Sequence, residues 1–360
     1  MSTLNTPYSA HSLNDTRDLW WNADFLELVA TRTGLRRVQR ALDVGAGLGH
    51  WTRTVASLLS PGARITGIER EATWVERAMG TVDHAANDVV IDFVQGDVHA
   101  LPWPDHTFDL VTSQTVLIHV PDPAAALAEM VRVLRPGGVL LCAEPNNLGQ
   151  SVSSFVGDPH FELDDVVALF RLQATCEKGK HALGLGYNSI GEHLVRFMPD
   201  TVDLLGVWKN DRCTTFRNGD DHRARPEVLD ALRVNDDGFG WPRDEAHRYF
   251  LAGGGDPATF DTDCARANRL LRDHWHRTAQ GAGRNEGGLF YQLPTFLAVR
   301  CRPLPWADGH PRTSILRGAG PPHPADRAKP ARAGGHRHPA WTGRLRRAAD
   351  RRRRRRCDGR

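Results

Sequence analysis

Asp43, Gly45, Gly47, Gly49 and Glu69 have the residue types and the spacing to hold a nucleotide-like ligand. The run Ala41-Leu42-Asp43-Val44-Gly45-Ala46-Gly47-Leu48-Gly49-His50 leads from apolar residues into an acid and then alternates glycine with small or apolar residues. Glycine lets a backbone turn sharply and lie close against a ligand. A helix that starts directly after such a turn offers free amide groups to whatever sits there. Residues 51–59 carry that helical pattern. Glu69 ends the next apolar run, twenty residues after Gly49. An acid at the end of a second strand can accept hydrogen bonds from both hydroxyls of a ribose. A dinucleotide fingerprint would place its third glycine at position 50, where this chain has His50, so the spacing counts against a nicotinamide oxidoreductase.

These residues need elements to carry them, and the pattern supplies strands alternating with helices. Strands are predicted at 41–44, 63–68, 89–94, 108–113 and 139–144, with helices at 51–59 and 124–134. Arg135-Pro136-Gly137-Gly138 ends the second helix and turns the chain into the fifth strand. Strand–helix alternation implies a parallel sheet with helices on both faces, with ligands at the carboxyl ends of its strands. Residues 15–29 read as an amphipathic helix, with Leu19, Phe25, Leu26 and Val29 on one face. Beyond 147, helices are expected at 164–176, 189–197, 226–233, 242–251 and 260–276. Extended segments are expected at 201–208, 213–216 and 293–301.

Several segments, in order and in register, resemble the class I S-adenosylmethionine-dependent methyltransferases, in particular the ubiquinone/menaquinone-biosynthesis type. They are the G-x-G-x-G turn preceded by Asp43, the acid Glu69, Gln95-Gly96-Asp97-Val98, P-x-x-x-F-D-L-V into Gln114-Thr115, L-x-H-V-x-D-P, and L-R-P-G-G-x-L, spanning roughly residues 38–147. The resemblance implies a Rossmann-like α/β fold: a seven-stranded sheet, mostly parallel with its last strand antiparallel, helices on both faces and a helical cap. It also implies S-adenosylmethionine as cofactor. Asp43, Gly45, Ala46, Gly47 and Gly49 would form the turn beneath it. Glu69 and Arg70 would lie at the ribose, and Asp97 and Val98 at the adenine amino group and ring nitrogen. Gln114 and Thr115 would close the crevice. The reaction would be methyl transfer to an O, N or C nucleophile of a small molecule. The donor is already activated, so alignment and desolvation carry most of the catalysis, and a base is needed only if the acceptor must lose a proton. His119 is the first candidate for that base and Glu144 the second. Acids at 43 and 69 and an intact glycine turn argue against a non-catalytic partner protein. A peptide or protein carboxylate stands as the alternative acceptor. The D/N-P-P-Y motif of many amino-group methyltransferases of nucleic acids and proteins is absent from the sequence.

Composition sets the remaining expectations. Three parts are expected: an N-terminal lid helix at 1–37, either covering the cofactor, with Tyr8, Arg17 and Trp20 as its lid residues, or packing against the sheet edge; the methyltransferase domain at 38–301, with strand six near 201–208, strand seven at 293–301 and the cap in an insertion at about 218–285; and a tail at 302–360. The tail holds sixteen arginines and one lysine against four aspartates, which leaves residues 1–301 at −10 within a chain of net charge +3. An acidic body argues against a phosphate-binding footprint, so no specific nucleic-acid partner is expected. The tail has no apolar periodicity to build a core. It reads as a disordered basic arm or, by preference, as a non-native end from a shifted reading frame of a GC-rich gene. No twenty-residue apolar run exists, so no membrane span is expected, and a cytoplasmic enzyme, with a homodimer compatible, is the default. The six cysteines (142, 176, 213, 264, 301, 357) are scattered without a C-x-x-C pair, and the seventeen histidines form no H-x-x-x-H or H-E-x-x-H motif. Reduced thiols are therefore expected, and no metal site.

Overall fold

The computed structural model of the chain describes residues 20–80, 88–153, 155, 161–210, 212–215, 241–281, 289–292 and 295–302. Its strands are β1 (Arg40–Val44), β2 (Arg64–Glu69), β3 (Val90–Gln95), β4 (Phe108–Gln114), β5 (Leu134–Glu144), β6 (Val202–Lys209), β7 (Arg212–Thr215), β8 (Leu289–Gln292) and β9 (Thr295–Cys301). Seven of them form one sheet in the order β3-β2-β1-β4-β5-β9-β6. The pairs among β1 to β5 are parallel, and β9 lies antiparallel to both β5 and β6. The last strand among the described residues is thus inserted between two others and does not form the sheet edge.

Helices cover both faces. They are α1 (Ala23–Thr33), α2 (His50–Leu58), α3 (Ala72–Met79), α4 (Pro123–Arg132), α5 (Asn147–Ser153), α6 (Leu163–Ala182), α7 (Arg243–Ala252) and α8 (Pro257–Gly281). Successive strand residues point to opposite faces, so each apolar strand feeds two cores. Leu42, Val111, Leu140 and Leu297 meet Leu127 and Met130 of α4 on one face. Ala41, Leu110, Leu141 and Phe296 meet Phe25 and Val29 of α1 and Trp51 and Val55 of α2 on the other. The strand order reverses between β1 and β4, and ligands of such sheets bind in the crevice expected outside the carboxyl ends at that reversal.

Four expectations are refined. Helix α1 starts at Ala23, where Asn22 Oδ1 accepts from Asp24 N at 3.2 Å. Trp21 packs on Trp51 at 4.8 Å and on Phe296 at 5.6 Å, and Asn210 Nδ2 donates to Trp20 O at 2.5 Å. The described end of the expected lid segment is therefore pinned to the sheet, while Tyr8 and Arg17 lie outside the described residues. β5 begins at Leu134 and runs through Arg135-Pro136-Gly137-Gly138. Extended segment 213–216 is observed as β7, which pairs with β8 in a separate two-stranded ladder. Helices also precede the insertion expected at 218–285 and pack with it. α6, α7 and α8 share a core of their own around Leu172, Cys176, Phe250 and Phe260, and Arg171–Asp263 (2.6 Å) and Arg269–Asp165 (2.7 Å) ion pairs join α6 to α8. Residues 218–240, the expected helix 226–233 among them, and the tail from 303 onward lie outside the described residues. Among the described residues no helix is long and apolar enough to cross a membrane. No cluster of three or more His, Cys, Asp or Glu side chains with metal-holding geometry occurs among them either.

Candidate functional site

The glycine turn occupies the crevice at the end of β1. Gly45, Gly47 and Gly49 have φ of 71°, 53° and 77°, a region that side-chain-bearing residues rarely adopt. Gly45 N and Ala46 N both donate to Ile68 O, at 2.8 and 3.0 Å, so the turn is tied to the end of β2. A Cβ on Gly45 would lie 2.4 Å from Val116 Cγ2. The turn and the segment after β4 therefore touch through the space that glycine leaves. Gly49 precedes α2, whose first amides face the same crevice.

Two carboxylates organise this turn. Asp43, at the end of β1, is 1% exposed, and Thr52 Oγ1 of α2 donates to its Oδ2 at 2.6 Å. Burial pushes the Asp43 carboxyl up to about 7, against the opposing pull of the Thr52 hydroxyl and with a smaller upward push from the charge of Glu69. Glu69 Oε2 accepts from Gly47 N at 3.0 Å, and its Oε1 accepts from Arg70 N at 2.8 Å and Glu71 N at 3.2 Å. A carboxylate offers about four lone-pair positions. Three backbone amides occupy Glu69, which leaves room for one ribose hydroxyl and for a second if Gly47 N turns to the ligand.

The other expected cofactor residues surround this pair. Gly96 N donates to Glu69 O at 3.0 Å, which places Asp97 and Val98 at the next strand end. Asp97 is exposed; its Oδ1 accepts from His99 N at 2.8 Å and meets His99 Nδ1 at 2.9 Å. The backbone bond from His99 is the first cause that holds the Asp97 carboxyl below its usual range. Arg70 points outward and pairs with Glu71 at 3.1 Å. Gln114 is buried, and Thr115 has φ 57°, strained for a β-branched residue. Gln114 Nε2 donates to Thr115 Oγ1, and Thr115 N donates to Ala143 O at 3.1 Å.

The two base candidates separate. His119 is half-buried and ends a short helical turn, Leu117–His119, that follows Thr115. Glu144 is 0% exposed at the end of β5. Its Oε1 accepts from Ser113 Oγ at 3.2 Å and from Val116 N at 3.1 Å, while its Oε2 is buried without a hydrogen-bond partner among the described residues. Burial pushes its carboxyl up to about 7, against these bonds. Glu144 is enclosed where His119 is half-buried, and it stands second to His119 as a base candidate. It anchors the turn that carries His119.

Sequence reasoning missed Thr52 and Ser113, whose roles depend on a helix and a neighbouring strand folding back onto Asp43 and Glu144. The spacing of Thr52, on the first turn of the helix after the glycines, was the available signal.

Loss of the Glu69 carboxylate removes the anchor of Gly47 and one acceptor for the ligand. Glu69→Ala is expected to weaken S-adenosylhomocysteine binding by about 1–3 kcal/mol. Titration calorimetry checks this, and affinity equal to that of the parent chain would remove Glu69 from the site.

Residues 42–142 match the family model described as methyltransferase domain. An uncharacterized 37.1 kDa transposon protein of Streptomyces fradiae is 42% identical over 108 residues, 30% of this chain and 30% of that protein. The demethylmenaquinone methyltransferase of Staphylococcus aureus strain JH9 is 38% identical over 111 residues, 31% of this chain and 45% of that enzyme. The chain thus spans less than half the length of these curated relatives. Among solved structures, the YcgJ protein of Bacillus subtilis aligns over 79% of this chain and 100% of its own, at 16% identity and a TM-score of 0.41. The glycine turn, the two acids and, for the most part, the first four strands lie within residues 42–142, the span that matches the methyltransferase domain model.

Proposed function

We propose that the chain transfers a methyl group from S-adenosylmethionine to an O, N or C nucleophile of a small molecule. The observation that carries this reading is the cradle at the β1 and β2 ends: a glycine turn whose Gly47 amide donates to the Glu69 carboxylate, with the buried Asp43 tying the end of β1 to α2 through Thr52. When bound, S-adenosylmethionine supplies a methyl group already activated on sulfur. The residues of the chain then have three tasks. Gly45 to Gly49 and the first amides of α2 let the ligand lie against backbone. Glu69 and Asp97 take the ribose and adenine donors on the β2 and β3 side. That directs the reactive end toward β4 and β5, where Gln114, Thr115 and His119 stand. His119 holds or takes a proton if the acceptor must lose one. Glu144 keeps the turn of His119 in place.

A small acceptor is favoured by the acidic body, which repels nucleic-acid phosphates, and by the helical cap beside the β4 and β5 ends. The curated name of the Staphylococcus aureus relative points the same way, toward a quinone-like ring. The test is incubation of the full chain with isotopically labelled S-adenosylmethionine and a metabolite extract. A product heavier by one CH2 and carrying the label is expected. S-adenosylhomocysteine binding without any labelled product across extracts would leave a cofactor-binding protein and overturn the enzymatic reading.

A further inference from the structure

The helices α6 to α8 carry two buried, oppositely charged side chains with no part in the cradle, each bonded to neutral partners. Glu177 and Lys180 lie one turn apart on α6 and are 5% and 3% exposed. Lys180 Nζ donates to Ile118 O at 3.2 Å and to Asn188 Oδ1 at 3.1 Å. Glu177 Oε1 accepts from Ser189 Oγ at 2.8 Å and from Asn188 Nδ2 at 3.4 Å. Ser189 Oγ accepts in turn from Leu148 N at 2.9 Å, and Asn147 Nδ2 donates to Asn188 O at 2.8 Å. Gly186, at φ 97°, lies so close to the turn after β4 that a Cβ there would stand 2.2 Å from Ile118 O. Four segments therefore meet at this pair: α6, the 183–190 elbow, the Leu117–His119 turn after β4, and α5 after β5.

Burying an ammonium and a carboxylate is costly, and such a pair is weak support for stability. Its cost shows at Lys180, which burial pulls down to about 8 against the charges of Glu177 and Glu245. What the pair does specifically is direct a charged donor from the cap at the backbone of the turn that carries His119. That turn borders the β4 and β5 side of the crevice, the side left to the acceptor once the ribose and adenine lie toward β2 and β3. We propose that Lys180 and Glu177 are positioning residues that latch the helical cap to the His119 turn and so shape the acceptor side of the site. This rests on the methyltransferase reading above only for the word acceptor; the latch itself is a property of the fold.

Hydrogen–deuterium exchange on the full chain tests it, with Lys180→Met as the first variant. Peptides covering 116–120, 146–150 and 183–190 are expected to exchange about tenfold faster, while peptides from β1 to β3 and from the α7–α8 core keep the parent rate. Lys180→Arg, which restores a charged donor, is expected to return most of the protection. Glu177→Gln keeps a side chain able to bond Asn188 and Ser189 while removing the charge, and it is read the same way if Lys180→Met fails to fold. In the labelled-product assay, the amount of extract giving half-maximal rate is expected to rise in Lys180→Met while that of S-adenosylmethionine stays put. Uniform acceleration across all peptides, or an unchanged 116–120 peptide, would overturn the latch. Binding of S-adenosylhomocysteine by the parent chain reads the methyltransferase proposal separately, because the exchange pattern decides the latch whether or not turnover is found.

Discussion

Gly45→Val is expected to lower affinity for S-adenosylhomocysteine by more than about a hundredfold, the largest binding effect of any single change at the cradle. Two independent penalties combine. At φ 71° a β-branched residue is strained, by roughly 1–2 kcal/mol or more. Its Cβ would also enter the space of Val116, 2.4 Å from Cγ2 and 2.8 Å from Cγ1. Val116 cannot retreat freely, because its amide is bonded to the sealed Glu144 carboxylate at 3.1 Å. The turn itself must move, and it takes with it the Gly47 amide that Glu69 holds. Gly34→Ala is the control. Gly34 closes α1 at φ 77° with nothing within 4 Å of an added Cβ, so that variant carries backbone strain without a clash. It is expected to lose about 1 kcal/mol of stability and no affinity. Calorimetry showing Gly45→Val within tenfold of the parent chain would refute the role given to the turn.

The second large effect is on stability. Glu144→Ala leaves the Val116 amide and the Ser113 hydroxyl without their shared acceptor in a dry interior. A loss of about 3 kcal/mol follows, or roughly 10 °C in melting temperature for a body of this size. Glu144→Gln behaves differently. Its amide resembles the protonated acid, keeps an acceptor toward Val116 and removes the buried charge. The Glu144 carboxyl is pushed up to about 7 from an ordinary 4.5, so the folded chain binds a proton there that the unfolded chain does not. That contribution is fully present below pH 4.5 and is lost as pH rises through 7. Asp43, raised to about 7 from 3.8, acts with the same sign. The parent chain is therefore expected to lose stability relative to Glu144→Gln as pH rises from about 4.5 to 7, a difference that cancels the other titrating groups. Thermal melts of the three proteins across that range decide it. An alanine variant melting within a degree or two of the parent would remove Glu144 as the anchor of the turn.

These effects also mark what was legible in the chain. The glycine turn could be read because its requirement is local: positive φ at 45, 47 and 49 is a demand on three residues, and only glycine meets it cheaply. The acids at 43 and 69 could be read because each closes an apolar strand, and strand ends are set by short-range pattern. The alternation of strand and helix from β1 to β5 followed from the same periodicity, and with it the crevice at the carboxyl ends.

Other features lay beyond local pattern. α6 runs to Ala182, six residues past the expected end, because Glu177 and Lys180 are buried and break the amphipathic rhythm that a sequence reading follows. Their partner Ile118 lies 62 residues away from Lys180, and nothing in the spacing announces it. β9 enters the sheet between β5 and β6, a choice made by cross-strand pairing over more than 150 residues of chain, from Glu144 with Thr295 to Val139 with Arg300. Glu144 shows the division within one side chain. Its type and its place at a strand end were apparent from the sequence, and both suit a base. Only the packing of β4, β9 and the turn after β4 buried it and gave its Oε1 to Ser113 and Val116 as an anchor, because burial and backbone hydrogen bonds are properties of segments that meet only in the folded chain.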